Sequence, residues 1–114
     1  MKKEIRIFIE DILKSIEKIE EYVRGMSGEE FFRFSQVQDA VMRRLEIIGE
    51  AAKKVPEGFR SKYPEIPWKL IAGMRDVLIH GYFDVNLERV WVIVEKDLPD
   101  LKRKISRILK EMNR

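Results

Sequence analysis

Ile5, Ile9, Ile12, Ile16, Ile19 and Val23 succeed one another in steps of four and three, a spacing that gathers onto one face only in a helix of about 3.6 residues per turn. The same alternation returns near the other end, over Leu87, Trp91, Val94, Leu98, Leu101, Ile105, Ile108 and Met112. Each stripe belongs to an amphipathic helix that must bury it against something else. No alternating strand pattern competes anywhere along the 114 residues. The expectation is therefore an all-α chain, an antiparallel four- to five-helix up-and-down bundle forming a single domain over residues 1–114.

Local signals divide the rest. Gly25 ends the first helix, and Ser27 with Glu30 three residues later makes a capping box that opens a second. That helix is expected to bury Val37, Val41, Leu45, Ile48, Ala52 and Val55 and to turn Asp39, Arg43, Glu46, Glu50 and Lys53 outward as a solvated, mutually paired surface. "PEGFRSKYPEIP", residues 56–67, holds three prolines and a glycine and allows at most one short turn at "FRSKY". Pro67 suits the first position of a third helix that runs to about Tyr82. Asp84 and Asn86 then give turn and cap signals for the last helix. Pro99 inside it lacks the amide that would bond to Glu95, which predicts a kink or restart near Asp97.

Composition narrows the chemistry. With no cysteine and one histidine, disulfides, thiolate catalysis and cysteine-based zinc sites are removed, and neither metal nor cofactor is expected. Acids interrupt the first twenty residues, so they lack the apolar core of a signal peptide, and no apolar run approaches bilayer length. A cytoplasmic protein without membrane contact is the expectation. Richness in Lys, Glu, Arg and Ile also suits a heat-adapted source. The net charge of +3 and pI near 9.2 permit a nucleic-acid partner without requiring one. Positive charge concentrates in Lys102, Arg103, Lys104, Arg107, Lys110 and Arg114, against Glu111 alone in that stretch. Such a cluster is either a solvated helix end favoured by the helix dipole or a site of phosphate attraction.

The third helix is the unusual one. Trp68, Ile71, Ala72, Leu78, Ile79 and Tyr82 share a broad arc, and Arg75 falls inside it. Leu70, Met74 and Val77 make most of the other sides apolar, which predicts burial by more than one partner. Asp76 and the sole histidine, His80, are neighbours four apart on the remaining polar stripe. The carboxylate would fix the ring's tautomer and favour imidazolium, as would the nearby helix C-terminus. Arg75 and His80 are about 140° apart around an ideal helix, so they do not share a face. They converge if the helix distorts at Gly81, if the arginine reaches around, or if two copies meet across a two-fold axis. The plainer reading of the same residues is a satisfied polar pair and a buried structural ion pair.

"RDVLIHGY", residues 75–82, resembles the R-x4-H motif of the HEPN superfamily in the longer R-x4-H-x-Y form of HepT-like proteins. "QDAVMRRLEIIGEAAKKV", "YPEIPWKLIAGMRD" and "VWVIVEKDLPDLKRKI" are also similar to HepT-like segments, in the same order, so the resemblance covers nearly the whole chain. It implies a helical bundle that forms a homodimer. The implied activity is that of a metal-independent endoribonuclease, the toxin of a toxin-antitoxin system. The implied partner is an MntA-like nucleotidyltransferase antitoxin that silences the toxin by transferring AMP to the motif tyrosine. Carried onto this chain, Arg75 and His80 become catalytic, Asp76 supports them, and Tyr82 becomes the adenylylation acceptor. Lys102, Arg103 and Lys104 become candidates for holding the RNA backbone. Asp76 stands where the superfamily has a polar residue, often asparagine, and places a negative charge in a phosphate site. That leaves two alternatives open: a catalytically weak helical module that partners a nucleotidyltransferase or binds nucleotide, and a purely structural dimerisation bundle.

Overall fold

The computed structural model describes the backbone of residues 2–80 and 86–113, with side chains over 3–74 and 86–113. Helix α1 spans Lys2–Val23. Its isoleucine stripe is buried as the spacing requires, with Ile9, Ile12, Ile16 and Ile19 wholly inaccessible. Gly25 ends the turn that follows with a φ of 73°, the left-handed conformation that a residue without a Cβ adopts freely.

Ser27 opens a helix as expected: its hydroxyl accepts from the Glu30 amide, and Glu30 accepts from the Ser27 amide. The helix it opens is short, however. α2 covers only Gly28–Arg33, and α3 then runs Ser35–Lys54. The single helix expected from Ser27 onward is thus two, separated by Phe34 in an extended conformation. Two interactions stabilise the break. Phe31 is driven into the core, its ring 5.1 Å from that of Trp91. The Phe31 carbonyl, deprived of its helical partner, accepts instead from the Gln38 side chain at 2.9 Å.

Along α3, Val41, Leu45, Ile48 and Ala52 are buried, and Arg43 pairs with Glu46 on the outer side. Arg60, from the short helix α4 (Glu57–Arg60), closes α3 by donating to the carbonyls of Val55 and Ala52 at 2.9 and 2.6 Å. α5 comprises Trp68–His80. Asn86 caps α6 (Leu87–Val92) by accepting from the Arg89 amide, as its position suggested.

The expected disturbance before Pro99 takes a definite form. Ile93–Asp97 is a π-helical turn, in which the Leu98 amide donates to the carbonyl of Ile93 rather than that of Val94. Widening this turn relieves the clash that the proline ring would otherwise make with the preceding turn. The helix then resumes as α7 (Leu98–Met112) with Pro99 in its first turn, where no amide is needed. In the bundle, α3 packs between α1 and α5, α1 also packs on α7, and α2 packs on α6. No strand occurs among the described residues, and none of their helices is long and apolar enough to cross a membrane.

Candidate active site

Of the sequence-predicted site residues, Arg75, Asp76 and His80 belong to α5 and Lys102, Arg103 and Lys104 to α7. The start of α5 is firmly held. The carbonyl of Pro67 accepts the first helical bond, from Ile71 at 3.0 Å, so Pro67 precedes the helix by one position rather than occupying its first. Trp68 and Ile71 are buried, and the Trp68 indole donates to the carbonyl of Tyr63 at 3.0 Å. Two further bonds tie the segment before α5 to α7: Tyr63 donates its hydroxyl to Glu111 at 2.9 Å, and Lys104 donates to the carbonyl of Glu65 at 3.0 Å. Burial first, and the Glu111 carboxylate second, raise the Tyr63 pKa and keep it a donor.

Arg75, Asp76 and His80 lie in the last turns of this anchored helix, which stays α-helical through His80. Their backbone positions follow helical geometry: Asp76 and His80 are about one turn apart, while Arg75 and His80 are about 140° apart and roughly 7.5 Å along the axis. The side chains from Arg75 to His80, and all of Gly81 to Val85 including Tyr82 and Asp84, lie outside the described residues.

Over its described side chains, residues 68–74, α5 is covered on only part of its circumference. Leu70 is 66% exposed, one turn before Met74. Across from it Val92 is 45% exposed. Leu70, Met74, Val92 and Ile93 line a cleft of about 300 Å³ bordered by Arg89 and Asp97. The apolar surplus read from the sequence therefore survives in the folded chain as an open surface beside the motif helix. Sequence reasoning missed Arg89 and Asp97, whose approach to this cleft depends on the π turn between them. On an uninterrupted α-helix residues 89 and 97 would stand about 80° apart, and the π turn that ends at Asp97 changes that register.

The basic stretch is engaged by acids. Lys102 meets Glu20 at 2.8 Å, linking α7 to α1. Asp100 takes both Arg103 and Lys104 at 2.9 Å. The bond that Lys102 donates to Glu20 raises the Lys102 pKa, and the bond from Lys104 holds Asp100 below its ordinary value. Lys102 thus turns toward α1, whereas Arg103 and Lys104 converge on one carboxylate of their own helix.

Comparison with known proteins agrees with the motif. The family model described as "Ribonuclease HepT-like" matches residues 12–108. A Methanocaldococcus jannaschii protein named "Gamma-glutamylcyclotransferase and putative RNase" is 49% identical over all 114 residues, which span 51% of its length. A Thermococcus cleftensis protein named "Probable ribonuclease HepT" is 46% identical over 110 residues, covering 96% of this chain and 100% of that one. No solved structure matches.

Proposed function

The chain belongs to the ribonuclease HepT-like family of HEPN-type ribonucleases, and from that membership we propose that it is a metal-independent endoribonuclease working as a cytoplasmic homodimer. The reading extends to a toxin-antitoxin pair in which an MntA-like nucleotidyltransferase silences the enzyme by adenylylating Tyr82. One observation carries it: Arg75 and His80 of the R-x4-H-x-Y motif stand at the far end of a helix whose near end is clamped to α7 and the core.

The chemistry suits the residue types. Neutral His80 takes the proton of a ribose 2′-OH, and the 2′-oxygen bonds to the adjacent phosphorus. The bond from phosphorus to the 5′-oxygen breaks, and an imidazolium supplies the proton that the leaving oxygen needs. General acid and base help of this kind contributes about a hundred- to ten-thousandfold in rate. Arg75 binds the non-bridging phosphate oxygens bidentately as charge builds on them. Asp76, one turn before His80, orients the imidazole.

A single chain offers one histidine, whereas the reaction uses both an acid and a base. A two-fold dimer supplies the second. The open face of α5 and α6 suits such a contact, because Arg89 and Asp97 border the same apolar cleft and neither has an ion-pair partner among the described residues. Across a two-fold axis, Arg89 of one protomer meets Asp97 of the partner subunit, twice. AMP on Tyr82, two residues beyond His80 in the chain, adds bulk and negative charge next to the catalytic histidine in sequence and so excludes RNA.

Protomer mixing tests this. Arg75→Ala and His80→Ala homodimers should each lose RNA cleavage, and a mixed dimer of wild-type and His80→Ala protomers, left with a single imidazole, should lose most of it too. Full activity in either homodimer would overturn the assignment. A helical module that binds a nucleotidyltransferase or a nucleotide is the second reading, favoured by the extra negative charge of Asp76; it predicts binding without cleavage.

A further inference from the structure

At the corner between α2 and α3 the chain reads Phe31-Phe32-Arg33-Phe34, and the three rings are used in two ways. Phe31 is completely buried, whereas Phe32 and Phe34 are 39% and 50% exposed. Arg33 between them is exposed and has no ion-pair partner among the described residues. We propose that Phe32, Arg33 and Phe34 form a subsite for single-stranded RNA, with bases stacked on the two rings and the guanidinium holding a phosphate between them.

Three features argue for this. First, the corner is rigid. The Ser27–Glu30 capping box fixes its entry, the Gln38 bond to the Phe31 carbonyl fixes its exit, and Phe31 anchors it, with Phe32 edge-on to the Phe31 ring at 6.1 Å. Exposed rings held on a fixed frame bind with little ordering cost. The Cα atoms of Phe32 and Phe34 are at most about 7 Å apart, a span of neighbouring nucleotides.

Second, the corner is fastened to the element that follows the motif. Gly28 packs so tightly on α6 that a Cβ there would lie 3.0 Å from the Trp91 indole nitrogen, and Trp91 in turn covers Phe31. Asn86, the cap of α6, comes six residues after His80 and so lies within about 21 Å of the end of the motif helix.

Third, the chemistry fits an unpaired strand. Every base has a π face, so aromatic side chains with an arginine bind single strands irrespective of sequence. A docking partner that merely buried apolar area would be served equally well by leucine.

This last contrast supplies the test. The inference rests on the ribonuclease reading for its ligand, so binding and cleavage are measured separately. Affinity for a fluorescent single-stranded oligonucleotide and for its duplex is measured with His80→Ala protein, and cleavage with wild type. Phe32→Leu and Phe34→Leu, which keep apolar bulk, should each weaken single-strand binding about tenfold, in line with the usual value of one stacked base. Phe→Tyr at either position should restore it, the duplex should be less affected, and Arg33→Gln should flatten the salt dependence. Leucine variants that bind the single strand as the parent does would overturn the subsite. So would leucine variants that leave RNA binding intact while aspartate variants dissociate the dimer, which would make the corner a protein interface. Cleavage by wild type with no effect of leucine sinks the subsite alone. Ring-dependent binding by a wild type that does not cleave sinks the ribonuclease reading alone.

Discussion

The ammonium of Lys102 lies 2.8 Å from the carboxylate of Glu20, so a residue that reads as a candidate for RNA binding joins the last helix of the bundle to the first. Both side chains remain more than a third exposed, which limits the pair to about 1 kcal/mol or less. Lys102→Ala should therefore lower stability slightly and leave the salt dependence of RNA affinity unchanged. A double-mutant cycle with Glu20→Ala reads the coupling. A flattened salt slope for Lys102→Ala would return this cation to the RNA.

The same network predicts the pH limits of stability. Glu20 raises the Lys102 pKa above its ordinary 10.5, so the pair's contribution is complete below that value and disappears as pH rises through the higher folded one. Asp100, lowered by Lys104 and Arg103, contributes fully above its ordinary 3.8 and is lost as pH falls through its lower folded value. Denaturation followed against pH should show Glu20→Gln flattening the alkaline limb and Asp100→Asn the acid limb. Each effect is small because the groups face water.

Ser15 stands in the isoleucine face of α1, 1% exposed, and its hydroxyl has no hydrogen-bond partner among the described residues. Burying such a group unsatisfied costs about 1–3 kcal/mol. Ser15→Ala should raise the melting temperature by several degrees. A lower melting temperature would mean that the hydroxyl is satisfied.

Much of this architecture was legible because it depends on periodicity. The stripes of α1 and α7, the Ser27 box, the Asn86 cap and the disturbance before Pro99 all follow from neighbours within a turn or two. The break at Phe34 was not legible, because its causes are tertiary: Phe31 seeking Trp91, and Gln38 returning to a freed carbonyl. Likewise the pairing of Lys102 with Glu20 spans 82 residues, which no local pattern encodes. For the site, the motif itself was legible and the clamped base of α5 was not, since its bonds come from Tyr63, Glu65 and α7.

Charge reversal examines the dimer. Arg89→Asp or Asp97→Arg alone should place like charges across the two-fold contact and shift the protein toward monomer in analytical ultracentrifugation, with Leu70→Glu doing the same more strongly. The double variant Arg89→Asp with Asp97→Arg should recover the dimer. If both single variants dimerise like wild type, the pairing is elsewhere.

The most direct measurement is RNA cleavage in EDTA by purified protein whose intact mass shows Tyr82 unmodified, beside His80→Ala. The account predicts that wild type cuts, that the products end in 2′,3′-cyclic phosphate and 5′-hydroxyl, and that His80→Ala melts like wild type yet does not cut. An unmodified, dimeric wild type that leaves RNA intact, or a His80→Ala variant that cuts equally well, would contradict it.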